Sequence, residues 1–161
     1  TIEPAARDWA KRAEAMKTAN PFGVPITAGG WAGSGAVLGF GLTADALHRV
    51  FPTIVDTAPV LRALDFIHGH HPASAKSFVS GVGAESKEVA YGSNRADFSF
   101  IPGGVVPGVL LLKPDYPENR DDWPFFWGEN EYVVPEGALY ILLANAGDAL
   151  ERKMPGGAVE K

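Results

Sequence analysis

A pair of carboxylates lies inside the most aromatic stretch of the chain, DDWPFFWGENEYVV at residues 121–134. Glu129 and Glu131 have tryptophan, phenylalanine and tyrosine as close neighbours in sequence. An apolar surround raises the pKa of a carboxyl group, and a carboxyl that keeps its proton near neutral pH can donate it to a leaving group. Aromatic rings also offer apolar faces to sugar rings. The stretch therefore suggests general-acid chemistry on a glycosidic oxygen, with Glu131 as the proton donor.

A simpler interpretation of the same two residues stays open at this level. Glu129 and Glu131 come directly before an apolar helical pattern, and negative charge is favourable at the amino terminus of a helix. Composition alone favours this second interpretation. The choice between the two depends on the rest of the chain.

Three histidines, His68, His70 and His71, form a second cluster whose composition would suit zinc or copper. No carboxylate falls at a recognised ligand spacing, and the chain has no HExxH pattern. The cluster lies at the end of a predicted helix, where histidine interacts favourably with the negative end of the helix dipole. We therefore predict no metal site here.

Two further patterns resemble sites only superficially. The glycine-rich segment TAGGWAGSG, residues 27–35, lacks both the Lys-Ser/Thr ending and the preceding strand of a phosphate loop, so it predicts a turn and a helix start. Ser80 and Ser93 lack the paired histidine and aspartate of a hydrolase triad. The sequence indicates no cofactor.

Composition limits the classes of partner. The chain has 161 residues, of which 46% are hydrophobic, enough for one domain with one core. The chain has 14 basic and 19 acidic residues and no basic cluster, so we expect neither nucleic acid nor anionic lipid as a partner. No apolar run reaches the roughly 18–20 residues of a membrane span, and the amino terminus does not read as a signal peptide. Without cysteine the chain has no disulfides, which leaves the compartment open.

Four segments have the apolar period of helices, at residues 4–18, 34–50, 53–68 and 131–150. Ser34 is the expected cap of the second helix, and Pro135 fits the fourth only in its first turn. The predicted core-facing residues are, helix by helix, Trp9, Ala10, Ala13, Met16; Val37, Leu38, Gly41, Leu42, Leu47; Val60, Leu61, Leu64, Ile67; and Leu139, Leu142, Leu143, Ala146.

About sixty residues without a helical period separate the third and fourth helices, far more than an ordinary connection contains. Their many aromatic side chains are anchors that disordered segments lack, so we expect an ordered loop. The segments SFVSGVG, residues 77–83, and GVVPGVLLL, residues 104–112, have the composition of short strands.

Five segments, taken in order, resemble the carboxy-terminal part of the family nine glycoside hydrolases, which are inverting, cellulase-type enzymes. NPFGVPITAGGWAGSGAVLGFGLTADAL resembles the entry into one of their barrel helices, and LRALDFIHGHHP is similar to a helix end. SFVSGVG, IPGGVVPGVLLLKPD and DDWPFFWGENEYVVPEGALYILLANA resemble three later motifs. The likeness runs from Asn20 to Leu150, and it implies a mainly α fold: about four helices of an (α/α)6 toroid, with short β-strands in a long loop region.

The resemblance assigns roles to residues of the last motif. Glu131 matches the general acid that protonates the leaving sugar oxygen. Asp122 and Trp127 match an aspartate and an aromatic that precede the acid, and they are expected to bind substrate. Trp123 and Tyr132 are expected to line the sugar subsites. Glu129 is a turn or supporting residue in this reading.

The chain also departs from the family pattern. The family's His-His-Arg after the SFVSGVG-like motif is missing, so Arg95 is the expected sugar-contacting cation, with Tyr91 and Asn94 as substitutes. Val133 and Gly137 stand where the family has a small residue and an asparagine. Because of these differences, the resemblance does not indicate which sugar or linkage the chain would prefer.

The aspartates that activate water in the family have no counterpart in the chain. Inversion needs two carboxyls roughly 6.5–9.5 Å apart, so we expect residues 1–161 to be the carboxy-terminal portion of a single catalytic barrel domain whose amino-terminal portion is absent.

Three functions follow: the acid-donating part of an inverting hydrolase of β-linked glucan or oligosaccharide; a non-catalytic carbohydrate-binding or structural remnant; or a helical domain whose aromatic loop is only core. An incomplete barrel leaves apolar faces uncovered, which predicts self-association or a complementary amino-terminal piece. Hydrolysis of sugar polymers would imply export of the full protein.

Overall fold

A computed structural model describes residues 1–26, 33–71, 75–87, 100–108 and 131–153 of the chain. The described part is mainly helical, as predicted. Its elements in chain order are α1 (Glu3–Ala19), α2 (Gly33–Val50), α3 (Ala58–Ile67), β1 (Lys76–Ser77), β2 (Glu85–Ser86) and α4 (Val134–Glu151).

Helix α1 begins and ends within one residue of its predicted bounds. A proline in its first turn suits the start, because the first N–H groups of a helix have no partner within it. Asn20 ends it: its side-chain oxygen accepts hydrogen bonds from the N–H groups of Phe22 and Gly23, at 3.0 and 2.9 Å. Of the four predicted core residues, Ala13 is buried and the other three are half-buried.

The core lies where α2 packs against α3 and α4. Gly41 of α2 permits close approach, because a methyl group in its place would lie 2.8 Å from Leu143 of α4 and 2.9 Å from Ala63 of α3. Phe66 and Phe78 extend the core toward the strands, with ring centroids 6.1 Å apart. The core residues of α2 and α3 predicted from the helical period are all buried or half-buried.

Helix α3 is shorter than predicted at its amino end. It begins at Ala58 rather than at residue 53, and residues 52–55 form turns. The Asp56 carboxylate accepts a hydrogen bond from the Ala58 N–H at 2.9 Å, and Pro59 occupies the first turn. The predicted helix was wrong over 53–57 because a local side-chain bond competes there with helical pairing.

Helix α4 differs from the prediction in two ways. It begins at Val134, because residues 131–133 are extended and the Val133 N–H donates to the carbonyl of Val105 at 3.0 Å. Pro135 lies in the first turn, as expected. Leu142 was wrongly assigned to the core: it is 60% exposed, whereas Leu143 is fully buried. The helix is apolar on more than one side, so periodicity alone could not identify the packed face.

The strand region is less regular than its composition suggested. Strands β1 and β2 pair in parallel over two residues each. Within the described residues, the two segments predicted as strands are joined by one antiparallel bridge, between Val79 and Val105. Gly81, Gly83, Gly103 and Gly108 have positive φ angles, which interrupt extended structure on both sides of the bridge.

Candidate active site

Glu131 lies in the extended segment that leads into α4, three residues before the helix begins. The residue is half-buried, and its carboxylate makes no hydrogen bond or ion pair with the other residues that the structure describes. The backbone on its carboxyl side is held by the Val133–Val105 hydrogen bond. The backbone next to Glu131 is therefore fixed, while its carboxylate is not engaged by any other residue of the described ranges.

Tyr132, the next residue, fixes this segment through its hydroxyl. The Ser80 hydroxyl donates to the carbonyl of Lys87 at 2.6 Å, so it accepts from the Tyr132 hydroxyl at 2.8 Å. The Tyr132 oxygen in turn accepts from the N–H of Ile101 at 3.0 Å. The Tyr132 hydroxyl therefore acts as both donor and acceptor within the protein.

Gly104 provides the space for that ring. A methyl group at this position would overlap the Tyr132 ring. The Gly104 carbonyl also accepts from the Ser80 N–H at 3.0 Å, and its own N–H donates to the Ile101 carbonyl at 2.8 Å. Ser80 therefore supports the loop through both backbone and side chain. The sequence had excluded Ser80 as a nucleophile, and it gave no signal for this role.

All five segments that carry the family resemblance meet around this loop. The Ser34 N–H, from the first segment, donates to the Pro107 carbonyl of the fourth at 2.6 Å. The Phe78 N–H of the third donates to Ile67 of the second at 2.9 Å, and Val106 donates to Phe78 at 3.1 Å. The Val133–Val105 bond adds the fifth. Segments far apart in sequence thus form one hydrogen-bonded unit beside Glu131.

Two buried polar atoms near this unit have no hydrogen-bond partner: the Ser34 hydroxyl oxygen and one carboxylate oxygen of Glu136. Ser34 lies inside the first turn of α2, so its predicted capping role was wrong. The other Glu136 oxygen lies against Gly35, 3.1 Å from where a Cβ would be. Burial raises the pKa of Glu136, and its backbone hydrogen bond offsets part of that effect. Sequence reasoning missed Glu136.

The three histidines point to separate partners. His68 contacts the Tyr140 hydroxyl through Nε2 at 3.0 Å, and burial lowers its pKa. His70 packs edge-on against Phe22, and His71 stacks on Phe78 with its Nε2 2.6 Å from the Lys76 carbonyl. Across the described ranges, no three histidine, aspartate or glutamate side chains converge as metal ligands.

The other predicted site residues lie outside the described residues. They are Tyr91, Asn94, Arg95, Asp122, Trp123 and Trp127. The structure therefore describes two of the predicted site residues, Glu131 and Tyr132, and these are neighbours in sequence.

Comparison with known proteins adds no relative. No family model, curated protein or solved structure matches this chain. None of α1 to α4 combines the length and the apolarity that a bilayer crossing requires.

Proposed function

We propose that this chain is the acid-donating, carboxy-terminal part of an inverting glycoside hydrolase of the (α/α)6 type, acting on β-linked glucan or oligosaccharide. Glu131 is the proton donor to the leaving sugar oxygen. The observation that carries the proposal is the meeting of the five motif segments in one hydrogen-bonded unit next to this residue.

The chemistry assigned to Glu131 is protonation of the glycosidic oxygen as the bond to the sugar breaks. Tyr132 contributes by fixing the backbone: its hydroxyl is bonded to Ser80 and Ile101, which limits movement of the adjoining carboxylate. A general acid gains its effect from being held within hydrogen-bond reach of the departing oxygen. The second carboxylate, which activates water, has to come from a segment that carries paired aspartates.

The test is Glu131→Gln in the chain joined to such a segment, with Glu129→Gln as the matched control two residues away. We expect turnover of glucan to fall about 10²- to 10⁴-fold in the first variant and to change little in the second. Aryl glycosides with good leaving groups need less help from an acid, so their turnover should fall less. Unchanged turnover on both substrates would rule out Glu131 as the acid.

A second candidate function is a non-catalytic carbohydrate-binding remnant, which agrees with the absence of an Asp-Ala-Gly-Asp segment from residues 1–161. In that case the chain alone binds cello-oligosaccharides, Glu131→Gln binds them equally well, and the joined protein hydrolyses none. Calorimetric titration together with a reducing-sugar assay separates the two functions. Absence of both binding and hydrolysis would favour a purely structural role.

A further inference from the structure

A cleft away from Glu131 lies between α1 and the chain that enters α3. Its volume is 440 Å³, within the range of small-molecule sites. Five charged side chains line it: Arg7, Lys11, Glu14, Asp56 and Arg62. None of them belongs to the hydrogen-bonded unit around Glu131, so the cleft is separate from the proposed catalytic residue.

Both carboxylates of the cleft already have partners. Glu14 forms an ion pair with Lys17 at 2.6 Å, one turn along α1. Asp56 accepts the Ala58 N–H at the start of α3. Arg7 is likewise engaged, by Glu3 at 2.6 Å. Two positively charged side chains of the lining are not part of these pairs.

Lys11 and Arg62 are those two cations. Lys11 is exposed and forms no ion pair within the described part of the chain. Arg62 donates through Nε to the Gly23 carbonyl at 3.2 Å, and its side chain packs closely on Gly23. This contact holds the guanidinium in place, while its terminal nitrogens have no partner among the described residues. A held guanidinium suits a carboxylate or phosphate group.

The rest of the lining is largely apolar and includes Trp9, Val55 and Pro59. The Trp9 ring is fixed by stacking on Phe40, with centroids 5.3 Å apart. We propose that this cleft binds a small anionic ligand that bears a carboxylate or a phosphate. Lys11 and Arg62 contact the anionic group, and Trp9 contacts a body about the size of one sugar ring.

The first experiment is an NMR titration of the 161-residue chain with glucose 6-phosphate, glucuronate and glucose. We expect the two anions to shift the indole N–H resonance of Trp9 in a saturable way, and glucose to leave it unchanged. The phosphate and carboxylate arms show which anion is preferred. Absence of saturable shifts with either anion would overturn the proposal, as would equal binding of glucose.

The second experiment compares Lys11→Gln with Arg12→Gln. Both variants remove one positive charge from α1, but Arg12 is paired with Asp8 and does not line the cleft. We expect the Kd of the preferred anion to rise about tenfold in Lys11→Gln, because a charge-assisted hydrogen bond is lost, and to stay the same in Arg12→Gln. Equal effects of the two variants would show non-specific charge attraction and refute the site. Since Lys11 is exposed, its replacement leaves the fold intact.

Discussion

The hydroxyl oxygens of Tyr132 and Ser80 lie 2.8 Å apart, although 52 residues separate them in the chain. This hydrogen bond joins the segment that carries Glu131 to the loop built from residues 77–87 and 100–108. It is one link of a directed series that begins at the Ile101 N–H and ends at the Lys87 carbonyl. The position of Glu131 therefore depends on contacts that lie far from it in sequence.

Removing the Tyr132 hydroxyl should loosen this segment. Tyr132→Phe keeps the ring against Gly104 but removes the hydrogen bonds of the hydroxyl with Ser80 and with the Ile101 N–H, so we expect a loss of about 1–2 kcal/mol in the free energy of unfolding. Tyr140→Phe is the control, because it removes a single hydrogen bond, to His68, and should cost about 0.5–1 kcal/mol. Urea denaturation measures both. A Tyr132→Phe variant as stable as the wild type would show that the series contributes nothing.

Replacing two glycines of α2 with alanine should change the stability of the protein in opposite directions. Gly41→Ala places a methyl group against Leu143 and Ala63, and we expect overpacking to lower stability by about 1–3 kcal/mol. Gly39 has no atom within 4 Å of the added methyl, so Gly39→Ala should raise stability by about 0.5–1 kcal/mol through helix propensity. Thermal unfolding followed by circular dichroism distinguishes them. Changes of the same sign would contradict the packing of α2 on α3 and α4.

The partly buried carboxyl of Glu136 should make stability depend on pH. Because its pKa is raised in the folded protein, the folded state holds this proton more tightly than the unfolded state. Its contribution is therefore most favourable at low pH and is lost as pH rises from about 4.5, the ordinary value, through the raised pKa. We expect Glu136→Gln to be more stable than the wild type at pH 7, with the difference shrinking toward pH 4.

The control for this pH dependence is Glu151→Gln, which removes an exposed carboxylate from the other end of the same helix. Urea midpoints of the three proteins between pH 4 and pH 8 provide the comparison. If the urea midpoints of Glu136→Gln and Glu151→Gln change in parallel across this pH range, net charge rather than burial of Glu136 causes the effect.

One face of α4 should promote association. Val134, Ile141 and Leu142 are 85%, 62% and 60% exposed, and with Ala138 they follow one helical stripe. We expect the chain to self-associate at micromolar concentration and Leu142→Gln to shift the equilibrium toward monomer. Val50→Gln is the control, since Val50 is also 60% exposed but lies on α2. In sedimentation velocity, a wild-type chain that remains monomeric would show that the exposed apolar face of α4 does not drive association.

The sequence-based predictions were most accurate for features that depend on residues close together in the chain. The bounds of α1 and α2 follow from apolar period and from stop signals such as the Asn20 turn, which act within a few residues. Pro135 was assigned correctly to a first turn because its missing N–H is tolerated only there. The predictions were least accurate at the starts of α3 and α4, where a side-chain bond from Asp56 and a backbone bond from Val133 displaced the expected first turns.

The sequence by itself determined that this chain is mainly helical, and its motifs predicted Glu131 as the proton donor. Only the tertiary structure decided that Leu143 is buried and Leu142 exposed, that Ser34 lies inside its helix, and that the three histidines diverge. The physical reason is that each of these outcomes depends on what packs against a side chain. Tyr132 illustrates it: its partners are separated from it by 31 and 52 residues, and no local pattern records them.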